Sequence, residues 1–154
     1  MEILARETYQ EMKRRHEKEY NDFVEGRIFF AFSNKQFDEG MERIGLKPTD
    51  TDKIYSIGAG GFILRSESKA HKEMANRFAR EEKEAIANDK DGTGYIREMF
   101  EYEMNNHEYG YTGDISDTLD CLGLTIEEIN NNEALLNGFK IARKAVIDWY
   151  NENN

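Results

Sequence analysis

The sequence predicts an α+β fold in which about five helices pack on a small antiparallel sheet of three strands. Long charged segments carry apolar side chains at helical spacing. Short apolar or aromatic runs in the first half are typical of strands, and two of them flank the glycine-rich turn Gly58–Gly61, as in a hairpin. One proline, Pro48, and no linker-like tract interrupt the 154 residues, so we expect a single compact domain over residues 1–154.

The first 45 residues predict helix, strand and helix in that order. A loose apolar stripe among charged residues predicts a helix over residues 2–23. The apolar and aromatic run Arg27–Ser33 predicts a buried strand. Ser33 or Asn34 can then cap a short amphipathic helix, which Gly45 ends.

The middle of the chain predicts a hairpin followed by a long helix. Ile54–Ile57 and Phe62–Arg65 are the two predicted strands of the hairpin. A helix should begin at Ser66 or Ser68 and continue to Asn88, since apolar side chains recur along it at helical spacing.

The second half of the chain predicts helices alone. They cover about Tyr95–Glu108 and about Ile115–Leu122, followed by a last helix. Thr125 with Glu128 three residues later matches a capping box. The last helix has a regular apolar stripe that predicts burial: Leu135, Phe139, Ala142, Val146 and Trp149.

The segment Asp89–Ile96 matches the first eight positions of a calcium-binding EF-hand loop. Position 12 of such a loop requires a glutamate that binds calcium through both oxygens. Here that position is Phe100, and Glu101 stands one residue too late, about 100° away around a helix. We therefore expect no calcium site.

The same segment is better interpreted as a tight turn between two helices. Asn88, Asp89 and Asp91 would accept hydrogen bonds from amides at the helix ends. Gly92 and Gly94 would supply positive φ angles.

The acidic charge is concentrated in one window. Residues 101–134 contain nine acidic residues and no Lys or Arg, which accounts for −9 of the net charge of −10. Nucleic-acid binding requires cationic residues that neutralise phosphates, so we expect no direct nucleic-acid contact. An acidic surface can instead meet a basic protein surface, although a simple solvated acidic face is the alternative.

A metal site is a second possibility within this window. Glu103 and His107 are four residues apart and would share one face of a helix, and Glu108 and Asp114 follow. A lone histidine hydrogen-bonded to a carboxylate is the simpler interpretation of His107. The single cysteine, Cys121, excludes an intramolecular disulfide and lies among leucines, so we expect it to be buried and inert.

No nucleophile–histidine–acid set is recognisable, so the sequence does not identify an enzyme and favours a binding role, and we expect no cofactor. The residues expected to contact a partner combine acids with aromatic side chains suited to an interface: Glu108, Tyr109, Tyr111, Asp114, Asp117 and Asp120.

The chain has no apolar run long enough for a membrane span and no signal-peptide pattern at its start. These features predict a cytoplasmic protein.

Two segments carry a resemblance to a known family: NHEYGYTGDISDTLDCLGLT at residues 106–125 and FFAFSNKQFDEGM at residues 29–41. They resemble small uncharacterised acidic proteins encoded by phages and mobile elements of Gram-positive bacteria. The resemblance extends along most of the chain. It implies an accessory protein of a mobile element, and it implies no reaction and no catalytic residue.

Together these observations predict a phage or mobile-element accessory protein that binds a basic host protein through its acidic surface. One form of this function is inhibition of a host nucleic-acid-binding or defence protein by charge mimicry. The alternative is a metal-binding protein or metal-assisted enzyme that uses Glu103, His107, Glu108 and Asp114.

Overall fold

A computed structural model describes residues 6–154, and the fold is α+β. The strands are β1 (Ile28–Phe30), β2 (Ile54–Gly58) and β3 (Gly61–Leu64). The α-helices are α1 (Tyr9–Val24), α2 (Asn34–Arg43), α3 (Ser68–Asn88), α4 (Tyr95–Asn106), α5 (Tyr109–Thr112), α6 (Ser116–Leu122), α7 (Ile126–Asn130) and α8 (Glu133–Asn153).

The predicted number of about five helices is wrong, because eight α-helices occur in residues 6–154. The additional helices arise where single residues break the helical path after α4. Glu108, Gly113 and Gly123 all adopt left-handed φ angles, of 55°, 70° and 66°. A left-handed residue ends the preceding helix at each of these positions, so the region after α4 forms several short helices.

The helix ends follow local capping chemistry. Thr8 and Glu11 form a reciprocal capping box at the start of α1, so this helix begins at Tyr9. The predicted start at residue 2 falls among residues 1–5, outside the described part of the chain. Thr125 caps α7 as the sequence predicts, but α8 has a separate cap, Asn132, whose side chain accepts from the Leu135 amide.

The chain divides into two compact units, and our expectation of a single domain remains a prediction. One unit comprises residues 15–80 and contains the sheet, whose strand order is β1-β3-β2 with both pairings antiparallel. Its core is formed by Phe29, Met41, Ile44 and Ile54. A Cβ on Gly40 would lie 2.1 Å from the Phe29 ring, so only glycine allows α2 to pack this closely on β1.

The other unit comprises residues 6–14 and 81–154. Its core lies mainly between α4 and α8 and includes Ile96, Phe100, Ala142 and Val146. The Phe100 ring meets the Phe139 ring edge to face. The apolar stripe of α8 is confirmed except at Trp149, which is 62% exposed. Helical periodicity identifies the apolar face of α8, but it does not show how far along the helix other elements pack on that face.

None of the described helices combines the length and apolar composition that a membrane span requires.

Candidate functional site

The unit formed by residues 6–14 and 81–154 contains a buried carboxylate, that of Glu103. Its side chain is only 1% exposed. Its Oε2 accepts hydrogen bonds from the Tyr9 hydroxyl and from the Lys13 ammonium, the latter at 2.9 Å. Its Oε1 accepts from the Asn106 amide at 3.2 Å. The sequence pattern did not reveal these partners, since Tyr9 and Lys13 lie on α1, some 90 residues away.

These contacts determine the charge state of the cluster. Burial alone would raise the pKa of Glu103, but the hydrogen bonds from Tyr9 and Lys13 and the positive charge of Lys13 lower it below its ordinary value. Burial alone would lower the pKa of Lys13, but the bond to Glu103 and its charge raise it. Burial, followed by the bond to Glu103, raises the pKa of Tyr9. At neutral pH the site therefore holds a carboxylate, an ammonium and a neutral phenol.

His107 and Cys121 complete this cluster. His107 is the C-cap residue of α4. Its Nε2 atom lies 3.9 Å from Oε1 of Glu103. The potential ligand atoms of Glu103, His107 and Cys121 all lie within 4.8 Å of one another. Glu103 and His107 thus share one helix face, as their spacing predicts, and α6 contributes the thiol.

Cys121 differs from the sequence prediction of a buried residue. It is exposed, because the leucines around it in sequence turn towards the core on other faces of α6. Thr118, one turn earlier on α6, is fully buried and its hydroxyl donates to the Glu103 carbonyl oxygen at 3.3 Å. This bond fixes α6 on α4 and so holds Cys121 beside the carboxylate.

The other two residues of the predicted metal set, Glu108 and Asp114, do not join this cluster within residues 6–154. Glu108 is exposed and has a left-handed φ of 55° before α5. Asp114 is exposed and accepts from the Ser116 amide at 2.9 Å, at the start of α6. This bond to Ser116 lowers the pKa of Asp114.

A groove of about 320 Å³ lies between α5 and the end of α8. Glu108, Tyr111, Trp149 and Tyr150 are among its lining residues. The groove can form because Gly110 brings α5 close to α8: a Cβ there would lie 3.2 Å from Cβ of Tyr150. Tyr111 and Trp149 are 74% and 62% exposed, which is unusual for such large aromatic side chains.

The residues expected to contact a partner are therefore distributed as follows. Tyr109 packs in the core and is only 7% exposed, so the predicted contact set is corrected at this residue. The other five residues of that set have exposed positions: Glu108, Tyr111, Asp114, Asp117 and Asp120. Trp149 was not in the predicted set, because its place in the apolar stripe of α8 made it look like a core residue.

The acidic window also differs in detail from its sequence pattern. Glu103 is paired with Lys13, and Glu101 pairs with Arg97 at 3.1 Å. The remaining seven acids are exposed, and no ion pair with another described residue is found for them: Glu108, Asp114, Asp117, Asp120, Glu127, Glu128 and Glu133. Two of these acids accept local hydrogen bonds, at the starts of α6 and α7.

In the loop that resembles an EF-hand, the carboxylate of Asp89 binds backbone amides of the loop itself. Asp89 accepts hydrogen bonds from the amides of Gly92, Gly94 and Ile96, at 3.2, 3.1 and 2.9 Å. The predicted turn and the positive φ of Gly92 are confirmed, at 80°. A positive φ at Gly94 is wrong: its φ is −104°, because it is the N-cap of α4.

Comparison with known proteins identifies a family to which this chain is similar. The family of unknown function DUF7659 matches residues 8–145 of the chain. The chain belongs to this family. No match was found among the curated proteins or among the solved structures.

The DUF7659 match includes every member of the Glu103 cluster, from Tyr9 to Cys121. It begins at the N-cap of α1 and ends one residue before Val146 in α8. Of the groove residues, Glu108 and Tyr111 lie inside the matched region, and Trp149 and Tyr150 lie beyond it.

Proposed function

We propose that this DUF7659 protein is a phage or mobile-element accessory protein that binds a Lys- and Arg-rich surface of a host protein in the cytoplasm. The binding surface is the groove between α5 and α8, together with the exposed acids of α6. One form of this function is inhibition of a host nucleic-acid-binding or defence protein, in which carboxylates take the place of phosphates. The mobile-element origin rests on the resemblance of residues 29–41 and 106–125.

The observation that carries the proposal is the pair of exposed aromatic side chains beside an unpaired acid. Tyr111 and Trp149 line the same groove as Glu108. Aromatic residues are enriched at protein interfaces, where rigid rings contribute a large buried area. An aromatic ring next to a carboxylate can bind a guanidinium or ammonium group. The cation interacts with the face of the ring and forms a charge-assisted hydrogen bond to the carboxylate.

The charge distribution supports a basic partner rather than an acidic or neutral one. The seven exposed acids from Glu108 to Glu133 form no ion pair with another residue in the range 6–154. Like charges at this density repel one another, and screening over about 8 Å at physiological salt relieves this only in part. A basic surface would remove the repulsion and would be steered towards the groove by the same field.

The competing interpretation is a solvated acidic face with no partner, and a capture experiment separates the two. The full-length wild type and a Tyr111→Ser/Trp149→Ser variant are used as baits in a lysate of a Gram-positive host. Proteins retained by the wild type and lost by the variant are purified. Their affinity for the wild type is then measured as a function of salt.

A matched control uses Tyr55→Ser, which removes another exposed aromatic ring, on β2. We expect this control to retain the partner. We also expect affinity to fall steeply with salt, mainly through slower association, and to fall again in an Asp117→Asn/Asp120→Asn variant. The proposal fails if the wild type and the groove variant retain the same proteins. It also fails if the affinity of the retained protein changes neither with salt nor in the Asp117→Asn/Asp120→Asn variant.

A further inference from the structure

We propose that Glu103, His107 and Cys121 form a binding site for a divalent transition-metal ion of the zinc class. The site is separate from the groove, and the inference does not depend on the proposed partner. Each of the three residues offers one ligand atom, and the three atoms lie within 4.8 Å of one another. Carboxylate oxygen, imidazole nitrogen and thiolate sulfur are the ligand types that zinc takes in proteins.

The geometry needs only a small contraction to hold an ion. Bonds of about 2.0–2.3 Å in a tetrahedral site separate ligand atoms by about 3.4 Å. The His107 Nε2 to Glu103 Oε1 distance is already 3.9 Å. His107 is half-buried and Cys121 is exposed, so side-chain rotation of these two residues can close the remaining gap.

The surroundings of Glu103 resemble the outer shell of a metal ligand. Metal-binding carboxylates are usually oriented by further hydrogen bonds. Oε2 of Glu103 is held by Tyr9 and Lys13. Oε1 accepts one hydrogen bond, from Asn106 at 3.2 Å, and lies on the side of His107. The bond from Thr118 to the Glu103 carbonyl fixes the helix that carries Cys121.

The charge balance accommodates a dication. Binding would release the thiol proton of Cys121 to solvent, so the ion would face a carboxylate and a thiolate with Lys13 nearby. The net charge of these groups with the ion is +1, on a unit whose exposed surface carries the seven unpaired acids. Three protein ligands leave a fourth position, and the exposure of Cys121 opens that position to water or to a ligand from solution.

The test uses the full chain, freed of metal by a chelator and kept reduced, and titrated with Co²⁺ and then with Zn²⁺. We expect one equivalent of Co²⁺ to bind with tetrahedral d–d absorption and a thiolate-to-cobalt charge-transfer band, and Zn²⁺ to displace it. Cys121→Ser should abolish the charge-transfer band. Cys121→Ser and His107→Gln should each weaken Zn²⁺ binding at least about tenfold.

The matched control is His71→Gln, the same chemical change at a half-buried histidine of the other unit, where the ring contacts Tyr20 and Phe23. It should leave binding unchanged. Circular dichroism confirms that each variant is folded, which we expect because neither His107 nor Cys121 is buried. The proposal is overturned if the wild type shows no saturable binding of either ion, or if either ligand variant binds Zn²⁺ as tightly as the wild type.

Discussion

The hydroxyl of Tyr9 donates a hydrogen bond to the buried carboxylate of Glu103, which lies 94 residues further along the chain. Lys13 donates to the same carboxylate oxygen at 2.9 Å. Tyr9 and Lys13 are four residues apart on α1, so both point from one face of that helix towards one acid. A charged contact therefore fastens α1 to α4, in addition to the apolar packing of Met12 in the core.

The cost of breaking this contact can be compared with that of a surface ion pair on the same helix. Lys13→Met leaves Glu103 buried without its cation, and we expect a loss of roughly 3 kcal/mol in the free energy of unfolding. Lys18→Met removes an exposed pair with Asp22 and should cost less than about 1 kcal/mol. Urea unfolding measures both. Equal losses would contradict the assignment of Glu103 as a buried charge.

The same contact predicts how stability depends on pH. The pKa of Glu103 is lower in the folded protein than its ordinary 4.5, so its stabilising effect is complete above that pH and is lost as pH falls towards the lowered value. The pKa of Lys13 is raised above its ordinary 10.5, so its contribution is complete below that pH and is lost as pH rises further.

Thermal unfolding of Glu103→Gln tests the acid side of this profile. The variant should be less stable than the wild type at neutral pH, and the difference should shrink as the solution is acidified. Some acid dependence should remain, because the bond from Arg6 also lowers the pKa of Glu98. A difference between the two proteins that does not change with pH would contradict the pKa assignment.

Gly92 is required by its φ angle and also by the close approach of its loop to α8. Its φ is 80°, and a Cβ would lie 2.0 Å from the Ala134 carbonyl oxygen. Gly123 has a φ of 66° but no atom within 4 Å of such a Cβ. We expect Gly123→Ala to cost about 1–2 kcal/mol from the φ angle alone. Gly92→Ala should cost about 1–3 kcal/mol more from overpacking.

The two glycine variants are compared by urea unfolding under the same conditions. Because both replace a glycine of positive φ by alanine, the difference between them isolates the contact with α8. If Gly92→Ala is no less stable than Gly123→Ala, the loop does not pack against α8 as closely as described.

We expect calcium to have no effect on this protein. Asp89 already accepts three backbone amides, and the position of the bidentate glutamate is occupied by Phe100, which is buried. Millimolar calcium should leave the melting temperature unchanged and produce no heat of binding in calorimetry. Asp89→Ala should cost about 1–3 kcal/mol of stability with or without calcium. A calcium-dependent rise in melting temperature that Asp89→Ala abolishes would reverse this interpretation.

Glu108 carries strain at the mouth of the proposed binding groove. Its φ of 55° is in the left-handed region, which costs a non-glycine residue about 1–2 kcal/mol. Glu108→Gly should therefore raise stability by up to about 1 kcal/mol, after the greater chain entropy of glycine is subtracted. It should also weaken partner binding, because it removes a carboxylate beside Tyr111 and Trp149.

Glu108→Gln is the matched control for this change. It keeps the strained backbone and removes only the charge, so binding should fall while stability stays within about 0.5 kcal/mol of the wild type. Unfolding and binding assays on both variants separate strain from charge. A loss of stability in Glu108→Gly would show that the left-handed conformation is not costly here.

Most of the helix and strand positions were predictable because their causes are local. Ser33 accepts from the Gln36 amide and starts α2, and Thr125 does the same at α7. The hairpin forms where the chain contains Ala59 and Gly60, both of which adopt positive φ angles. The predicted count of helices was wrong after α4, because a left-handed Glu108 has no pattern in the sequence that marks it.

The candidate sites were predictable only in part. The spacing of Glu103 and His107 on one helix face follows from helical geometry alone. The burial of Glu103, its pairing with Tyr9 and Lys13, and the approach of Cys121 depend on α1 and α6, which are distant or separate in sequence. Cys121 and Trp149 both sit in apolar sequence contexts, and both are exposed.

By itself, the sequence determined the fold class, the capping of the helices and the concentration of acids in residues 101–134, because these depend on interactions within a few residues or on composition. The tertiary structure alone decided which acids are buried and paired, and which aromatic side chains remain in solvent. A side chain is buried only where another element packs on its helix face. Periodicity identifies the apolar face, but it does not show which part of that face is packed against. For this reason Glu103 is in the interior and Trp149 lines an open groove.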